Sequence, residues 1–429
     1  CKKAGIKPII GCEVYTAART MYDKEAGKDR NSGHLILLAE TQQGYSNLVK
    51  IVSKSYVDGF YFRPRVDKNL LRQYSEGLIC MSACLSGDLP KLLLDDRHDD
   101  AVAYIREMQD IFGKDNFFCE LMDHGLDIER NVQADLIKLA RELQLPLVAT
   151  NDLHYTHAED ASAHAALLCV QSGSSLADPK RFKFDADEFY LKSPAEMRAI
   201  FRDYPEACDN TLLIAERCDV EFNTNANYMP RFPTPEGENE ESWFVKEVEA
   251  GLHRRYPNGI TDAVRKRADY EVGIIAQMGF PGYFLVVADF INWAKANGIR
   301  VGPGRGSGAG SMAAYAMGIT DLDPLQHGLI FERFLNPDRV SMPDFDVDFD
   351  DRRRSEVIHY VTEKYGDERV AMIVTYGTIK AKQALKDSSR VMGYPFSVGE
   401  RLTKAMPPDV MGKGLSLQDV HNKEAKRYG

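Results

Sequence analysis

The alternating run Pro343 to Phe349, PDFDVDF, constrains this chain more than any other stretch. Side chains on an extended strand point to opposite faces with a period of two, so the spacing predicts Asp344, Asp346 and Asp348 on one face and Phe345, Val347 and Phe349 on the other. One face suits a core and the other is anionic. Carboxylates two positions apart stand roughly 7 Å apart along a strand and repel one another unless cations lie between them, which outlines a divalent metal site. A glycine-rich loop, VGPGRGSGAGS at Val301 to Ser311, precedes the strand. Backbone N–H groups of such a loop can approach phosphate oxygens closely, a helix opening after it offers its positive end, and Arg305 and Ser307 add donors. The loop is neither GxGxxG nor GxxxxGK[ST], so the two common nucleotide fingerprints do not apply. Between loop and strand, Arg333 and Arg339 are cations that could meet a triphosphate, or could pair on the surface with Glu332 and Asp338.

A chain of 429 residues is too long for one core, and two to three domains are expected. The net charge of -10 argues weakly against a nucleic-acid binder, but from Asp351 to Gly429 there are 15 Lys and Arg against 10 Asp and Glu. An acidic centre beside a basic segment suits a polyanion that is held and then cut or joined, although an ordinary solvated face accounts for the charge as well. All eight Cys fall between Cys1 and Cys218 without a CxxC pair, a pattern of a reducing cytoplasm and not of a disulfide framework. No apolar run is long enough to span a bilayer, so no membrane partner is expected, and no signal peptide is evident. The opening CKKAGIKPIIG, without Met, and the ending KRYG read as an internal fragment.

In the first half, apolar runs (KPIIGCEVY, HLILLAE, GLICMSAC, FFCELMDHG, LPLVATNDLHY) alternate with helical patterns such as Asp100 to Ile111 and Glu129 to Leu143, which predicts an α/β layer or barrel. Glu13, Cys84, His124, Asp152 and His154 sit at or just past the carboxyl ends of these runs, where such folds collect functional groups. His34 precedes its run. Mixed His, Cys, Asp and Glu donors are those of zinc or manganese, and Asp152 with His154, at i and i+2, aim in one direction. His157 and His164 carry no such spacing and read as surface residues. Asn223 to Ser242 reads as a linker. Further on, a core helix spans Tyr283 to Ala294, Val370 to Thr378 reads as a buried strand, and Thr378 to Met392 as a helix carrying Lys380, Lys382, Lys386 and Arg390.

The runs GIKPIIGCEVY, GHLILLAE, ELMDHG and ATNDLHY resemble the polymerase and histidinol phosphatase (PHP) domain at the amino end of bacterial DNA polymerase III alpha subunits. GPGRGSGAGS, FERFLNPDRVSMPDFDVDF and TYGTIKAKQALKD resemble the palm of the same family, within the polymerase beta nucleotidyltransferase superfamily. The resemblance implies a multidomain α/β protein: a distorted (β/α) barrel-like PHP domain over residues 1–219, a palm over 220–373 with its linker at 220–242, and the start of a helical thumb over 374–429. It implies catalytic, Mg²⁺-binding carboxylates at Asp344 and Asp346, with two ions and Asp348 in support, and nucleotide contacts at Arg305, Gly306, Ser307, Arg339 and Lys382. It also implies a Zn²⁺ or Mn²⁺ cluster on Glu13, His34, Cys84, Asp152 and His154, with His124 nearby. That cluster is expected to be incomplete, because the family's opening HxH strand, and an Asp and a His after it, come before residue 1. In the palm, a third catalytic Asp comes later in the family than residue 429, so the fragment alone is expected to be inactive. The implied activity is template-directed DNA polymerisation, with a 3′–5′ exonuclease or structural role for the PHP domain. The implied partners are primer-template DNA, deoxynucleoside triphosphates, a sliding clamp, a clamp loader and a proofreading subunit. A PHP-type phosphoesterase, an error-prone polymerase paralogue and a non-enzymatic platform whose acidic strand binds Ca²⁺ remain alternatives at this point.

Overall fold

The computed structural model describes residues 1–223, 228–338, 342–408, 414 and 416–421. The chain divides into two compact units, one formed by Cys1–Phe222 with Gly377–Gly429 and the other by Asn223–Tyr376.

The first unit is built on one six-stranded sheet, β1 (Gly11–Ala17), β2 (Ser32–Ala39), β3 (Arg65–Val66), β4 (Leu78–Met81), β5 (Phe117–Leu121) and β6 (Leu147–Ala149), in the order β3-β1-β2-β4-β5-β6. β2 runs antiparallel to β1 and β4, whereas β4, β5 and β6 are mutually parallel. The parallel strands are buried along their whole length, as strands covered on both faces must be. On one face, Leu37, Cys80, Phe117, Cys119 and Leu147 pack with Ile51, Ile105, Met108 and Leu136 from α1 (Gln42–Val57), α2 (His98–Phe112) and α3 (Asp127–Glu142). On the other, Ile79, Met81, Phe118 and Val148 meet Ile214 of the helix Pro205–Arg217 and Cys218 beyond it. The fold is mixed α/β, as the alternation of runs predicts, and the sheet of described residues is open where the family resemblance implies a distorted barrel. β3 and β6, each of only two or three residues, lie at its two edges.

Residues expected to begin a thumb also belong to this unit. Val391 O accepts from Leu176 N, and Arg390 donates to Ser174 O, so the helix Ala381–Val391 packs beside the helix Ala161–Ser172.

The second unit is mainly helical: α4 (Glu240–Arg255), α5 (Asp262–Gln277) and α6 (Pro281–Ala296) surround a core of Phe244, Ile275, Phe284, Ile291, Met312 and Phe331. Asn239 and Thr261 cap α4 and α5 by accepting from the backbone N–H three residues on. The core helix predicted from Tyr283 ends as its sequence requires, with Gly298 in the left-handed region at φ 69°. The buried strand predicted over Val370 to Thr378 is absent. Those residues have no regular structure and Ile373 is 92% exposed, because β-branched composition alone supplies no ladder partner.

Candidate functional site

In the second unit the glycine loop and the acidic ribbon lie against each other. Gly302 N donates to Asp348 O and Asp350 N to Arg300 O, with isolated antiparallel bridges at Val301–Phe349 and Arg305–Asp346. The side chains alternate as a period of two demands. Asp344, Asp346 and Asp348 are exposed, while Phe345, Val347 and Phe349 pack on the core, Phe345 against Tyr283, Phe284 and Phe334. Phe345 N donates to the Tyr283 hydroxyl at 3.0 Å, fixing the ribbon between two carboxylates. Burial of that hydroxyl raises its pKa, and the charges of Asp344 and Asp346 add to the rise.

Glycine is required where the loop touches the ribbon. Gly306 has φ 68°, and a Cβ there would stand 3.2 Å from Asp346 Oδ2. A Cβ on Gly308 would stand 2.7 Å from the Phe345 ring. Arg305 joins loop to ribbon by charge: Nη1 lies 3.1 Å from Asp346 Oδ2 and Nε 3.2 Å from Asp348 Oδ2. A guanidinium thus stands where the carboxylates call for a cation. Beside the loop, Gly306, Ser307, Gly310, Gly328, Leu329, Ile330 and Arg333 line a cleft of about 440 Å³, within the range of small-ligand sites.

One expectation about the cradle is corrected. The helix after the loop, Met312–Ala316, has little more than one turn, and its amino end is already occupied. Ala314 N donates to Ser311 Oγ, and Ala313 N to the carboxylate of Glu271. A carboxylate seated there removes the positive end that a phosphate would need. Any phosphate grip therefore comes from the loop and the cleft walls. Glu271 escaped the sequence reading because a Glu on an amphipathic helix looks like surface charge, yet it is fully buried.

Arg339 lies outside the described residues. Lys382 is on the helix Ala381–Val391 of the first unit and does not appear in the lining of this cleft.

In the first unit the sheet topology explains where His34 goes. β2 runs opposite to β4, so the amino end of β2 and the carboxyl end of β4 share one edge: Ile36 pairs with Met81, and His34 stands two residues further out, beside the segment leading to Cys84. Glu13 is inside β1 and not at its end, because the strand continues to Ala17. His34 Nδ1 is buried, 3.0 Å from Glu13 Oε1 but without the alignment of a hydrogen bond. Cys84, then Glu13, hold the imidazole pKa up at about 9. Across the sheet edge, His154 Nε2 lies 3.4 Å from Asp152 Oδ1.

Two non-glycine residues at this edge sit at positive φ, Ala83 at 63° just after β4 and Asp152 at 43° after β6. Backbone of this kind is costly and is held only by its surroundings. The holder is Glu120, also missed in the sequence because it falls inside the apolar run FFCELM. Its buried carboxylate accepts from Ala83 N at 2.5 Å and from Thr150 Oγ1 at 2.9 Å, tying the Cys84 and Asp152 segments together. Burial pushes its pKa up to about 7.

His124 has both ring nitrogens engaged, Nδ1 with Glu129 Oε1 at 2.6 Å and Nε2 with Asn151 O at 2.9 Å. Burial opposes its charge, but the Glu129 carboxylate and the Asn151 carbonyl outweigh it and raise the pKa. Both ring nitrogens are thus spent on these partners, and the ring holds Asn151, the residue before Asp152. His164, read as a surface residue, instead stands with its ring centre 5.4 Å from that of His154. Among the described residues no three His, Cys, Asp or Glu side chains converge to hold a metal ion. The unaligned, buried nitrogen of His34 facing a carboxylate is donor chemistry suited to zinc or manganese, but the set does not fit a complete site.

Comparison with known proteins bears on both units. Residues 1–124 match the PHP domain family, and residues 242–428 match the bacterial DNA polymerase III alpha NTPase domain family. The DNA polymerase III subunit alpha of Mycobacterium tuberculosis is 48% identical over 445 residues, covering 99% of this chain and 38% of its own length. This chain combines a PHP domain with a bacterial DNA polymerase III alpha NTPase domain. The subunits of Treponema pallidum (48% identical, 95% of this chain and 35% of the relative) and Thermus aquaticus (44%, 97% and 39%) align along nearly the whole of it. The chain thus spans little more than a third of the length of these polymerase subunits.

Proposed function

We propose that the second unit carries the nucleotidyl-transfer site of a DNA-directed DNA polymerase, acting on primer-template DNA and deoxynucleoside triphosphates. The observation that carries this reading is the placement of Asp346 against the Gly306 turn, with exposed carboxylates on one side and a 440 Å³ cleft on the other. Arg305, Gly306 and Ser307 would hold the triphosphate, with Arg333 also lining the cleft.

The carboxylates fit magnesium, since a cationic group already bridges Asp346 and Asp348 and this metal takes one or two carboxylates plus phosphate oxygens. Two such ions on Asp344 and Asp346 would activate the primer 3′-hydroxyl and neutralise the leaving pyrophosphate. In the transfer the 3′-oxygen bonds to the alpha phosphorus, the bond to the beta-phosphate oxygen breaks, pyrophosphate leaves and the hydroxyl proton is released. The residues of this chain place the triphosphate against the acidic ribbon: the loop fixes the triphosphate, and the ribbon, pinned through Phe345, fixes the carboxylates beside it. Template pairing, and not base contacts by the protein, selects the nucleotide.

The first unit contributes a metal-binding PHP domain in this reading, with either 3′–5′ exonuclease or structural work. The barrel-like closure of that domain, the thumb assignment of the last residues, the clamp, clamp-loader and proofreading partners and a cytoplasmic location are further parts of the proposal, resting on the family. Primer extension by the full-length subunit carrying Asp346→Asn tests it. Incorporation should fall by about a thousandfold or more, and retention of wild-type rates would overturn the assignment.

A further inference from the structure

The nucleotide cleft has two walls of different origin, the glycine loop ending at Gly310 and the segment Gly328–Ile330. They touch where a Cβ on Gly310 would stand 2.8 Å from Ile330 O, so nothing bulkier than glycine fits between them. One side chain binds both. Nη2 of Arg267, on α5, donates to Gly310 O at 2.9 Å and to Leu329 O at 3.2 Å. Its Nε donates to Glu271 Oε1 at 2.6 Å, one helical turn along the same helix. The other oxygen of Glu271 accepts from Ser311 Oγ at 2.9 Å and Ala313 N at 3.1 Å, anchoring the chain just after the loop.

From this geometry we propose that Arg267 and Glu271 are positioning residues that set the width of the triphosphate cleft. The proposal rests on the nucleotide-site reading above. A guanidinium has fixed, planar donors, so two carbonyls bound by one nitrogen are held at a set separation, and a carboxylate that orients the guanidinium fixes where that separation lies. Glu271 is buried, and burial raises its pKa against the pull of Met312 N–H, Ala313 N–H and Arg267. A carboxylate kept there despite that cost, holding both Arg267 and the chain just after the loop, does more than a helix cap requires. Neither residue reaches the reacting atoms. Both act through Gly310 and Leu329.

The effect should appear in nucleotide affinity and not in the chemical step. In the full-length subunit, Arg267→Ala and Glu271→Gln should each raise KM for the deoxynucleoside triphosphate about tenfold while kcat at saturation changes less than about threefold. Arg267→Lys, which can keep one carbonyl contact, should fall between. The double variant should be no worse than either single one, because the pair acts as a unit. If a variant loses soluble, folded protein by thermal melting, Arg267→Lys supplies the reading, since it keeps the charge on Glu271. An unchanged KM in folded variants, or a fall in kcat with KM constant, would overturn the proposal. Asp346→Asn in the same assay separates the two claims. If that variant is inactive and KM is unmoved by Arg267→Lys and Glu271→Gln, only the positioning role fails. If it is active, the nucleotide-site reading itself fails.

Discussion

The two units present acidic and donor groups in opposite physical states. At the sheet edge of the first unit, functional side chains are held by buried partners: Glu120 ties Ala83 to Thr150, and Glu129 and Asn151 occupy both nitrogens of His124. In the second unit, Asp344, Asp346 and Asp348 project into solvent, and the buried work is done behind them by Phe345, Tyr283 and Glu271. The difference teaches where tuning comes from. In the first site burial raises the pKa of the Glu120 carboxyl, while neighbouring groups raise those of His34 and His124 against burial. The second is organised by backbone pinning and leaves its carboxylates hydrated until a cation arrives.

The comparison breaks most visibly in catalysis. Asp346→Asn in the full-length subunit should lower nucleotide incorporation by about a thousandfold or more, whereas Asp152→Asn should leave incorporation within about twofold. Equal losses, measured by single-turnover primer extension, would mean that the two units do not work as separate sites.

Next comes the desolvated carboxyl. The folded pKa of Glu120, about 7, is above the ordinary value of 4.5, so the folded chain holds its proton more tightly than the unfolded chain does. The associated stability is complete below about pH 4.5 and is lost as pH rises through 7, for a total of about 3 kcal/mol. Glu120→Gln, whose amide can keep a partner at both Ala83 and Thr150, should therefore be more stable than the parent at pH 8 and lose that advantage by pH 4.5. Urea unfolding in the presence of a chelator, followed at the two pH values, would show it. An equal difference at both would place the tuning elsewhere.

How much of this could be read from the chain alone follows from the range of each interaction. The two faces of PDFDVDF were legible because a period of two is local. His34 was legible as a donor but not as a neighbour of Cys84, since its placement depends on β2 running antiparallel, which no single run reveals. The core helix α6 lies within two residues of its predicted bounds, since Pro281 opens it and Gly298 closes it locally. Val370 to Thr378 misled because apolar, β-branched residues promise burial only when a partner is found. Glu120 and Glu271 were silent, as a buried carboxylate differs from a surface one only in what folds over it.

Backbone pinning in the second unit can be tested by a single methyl group. Gly308→Ala places a Cβ 2.7 Å from the Phe345 ring, which Tyr283, Phe284 and Phe334 hold from other sides. Overpacking of this kind should destabilise by about 1–3 kcal/mol. Gly273→Ala, in the middle of α5 with open space where the methyl goes, should instead stabilise by about 0.5–1 kcal/mol. Calorimetry of both variants sharpens the contrast, and a neutral Gly308→Ala would mean that the ribbon moves freely on its core.

The smallest effect on stability is expected at the most visible ion pair. Arg305 bridges Asp346 and Asp348, but its side chain is 57% exposed and those of the two carboxylates are 46% and 63% exposed. Water screens such a pair, and Arg305→Ala should change unfolding free energy by less than about 1 kcal/mol. Its consequence lies in cation binding. With the guanidinium in place, a magnesium ion at Asp346 must displace a charge already sitting there, whereas in the variant it meets a carboxylate with no rival. Magnesium titration by calorimetry in the absence of nucleotide should therefore give tighter binding by a few-fold in Arg305→Ala. With a triphosphate present that advantage should shrink or reverse, because the phosphate oxygens then draw Arg305 away from the ribbon and lose it in the variant. If Arg305→Ala weakens magnesium binding without nucleotide, the guanidinium is an organiser of the acidic ribbon and not a cation waiting to be replaced.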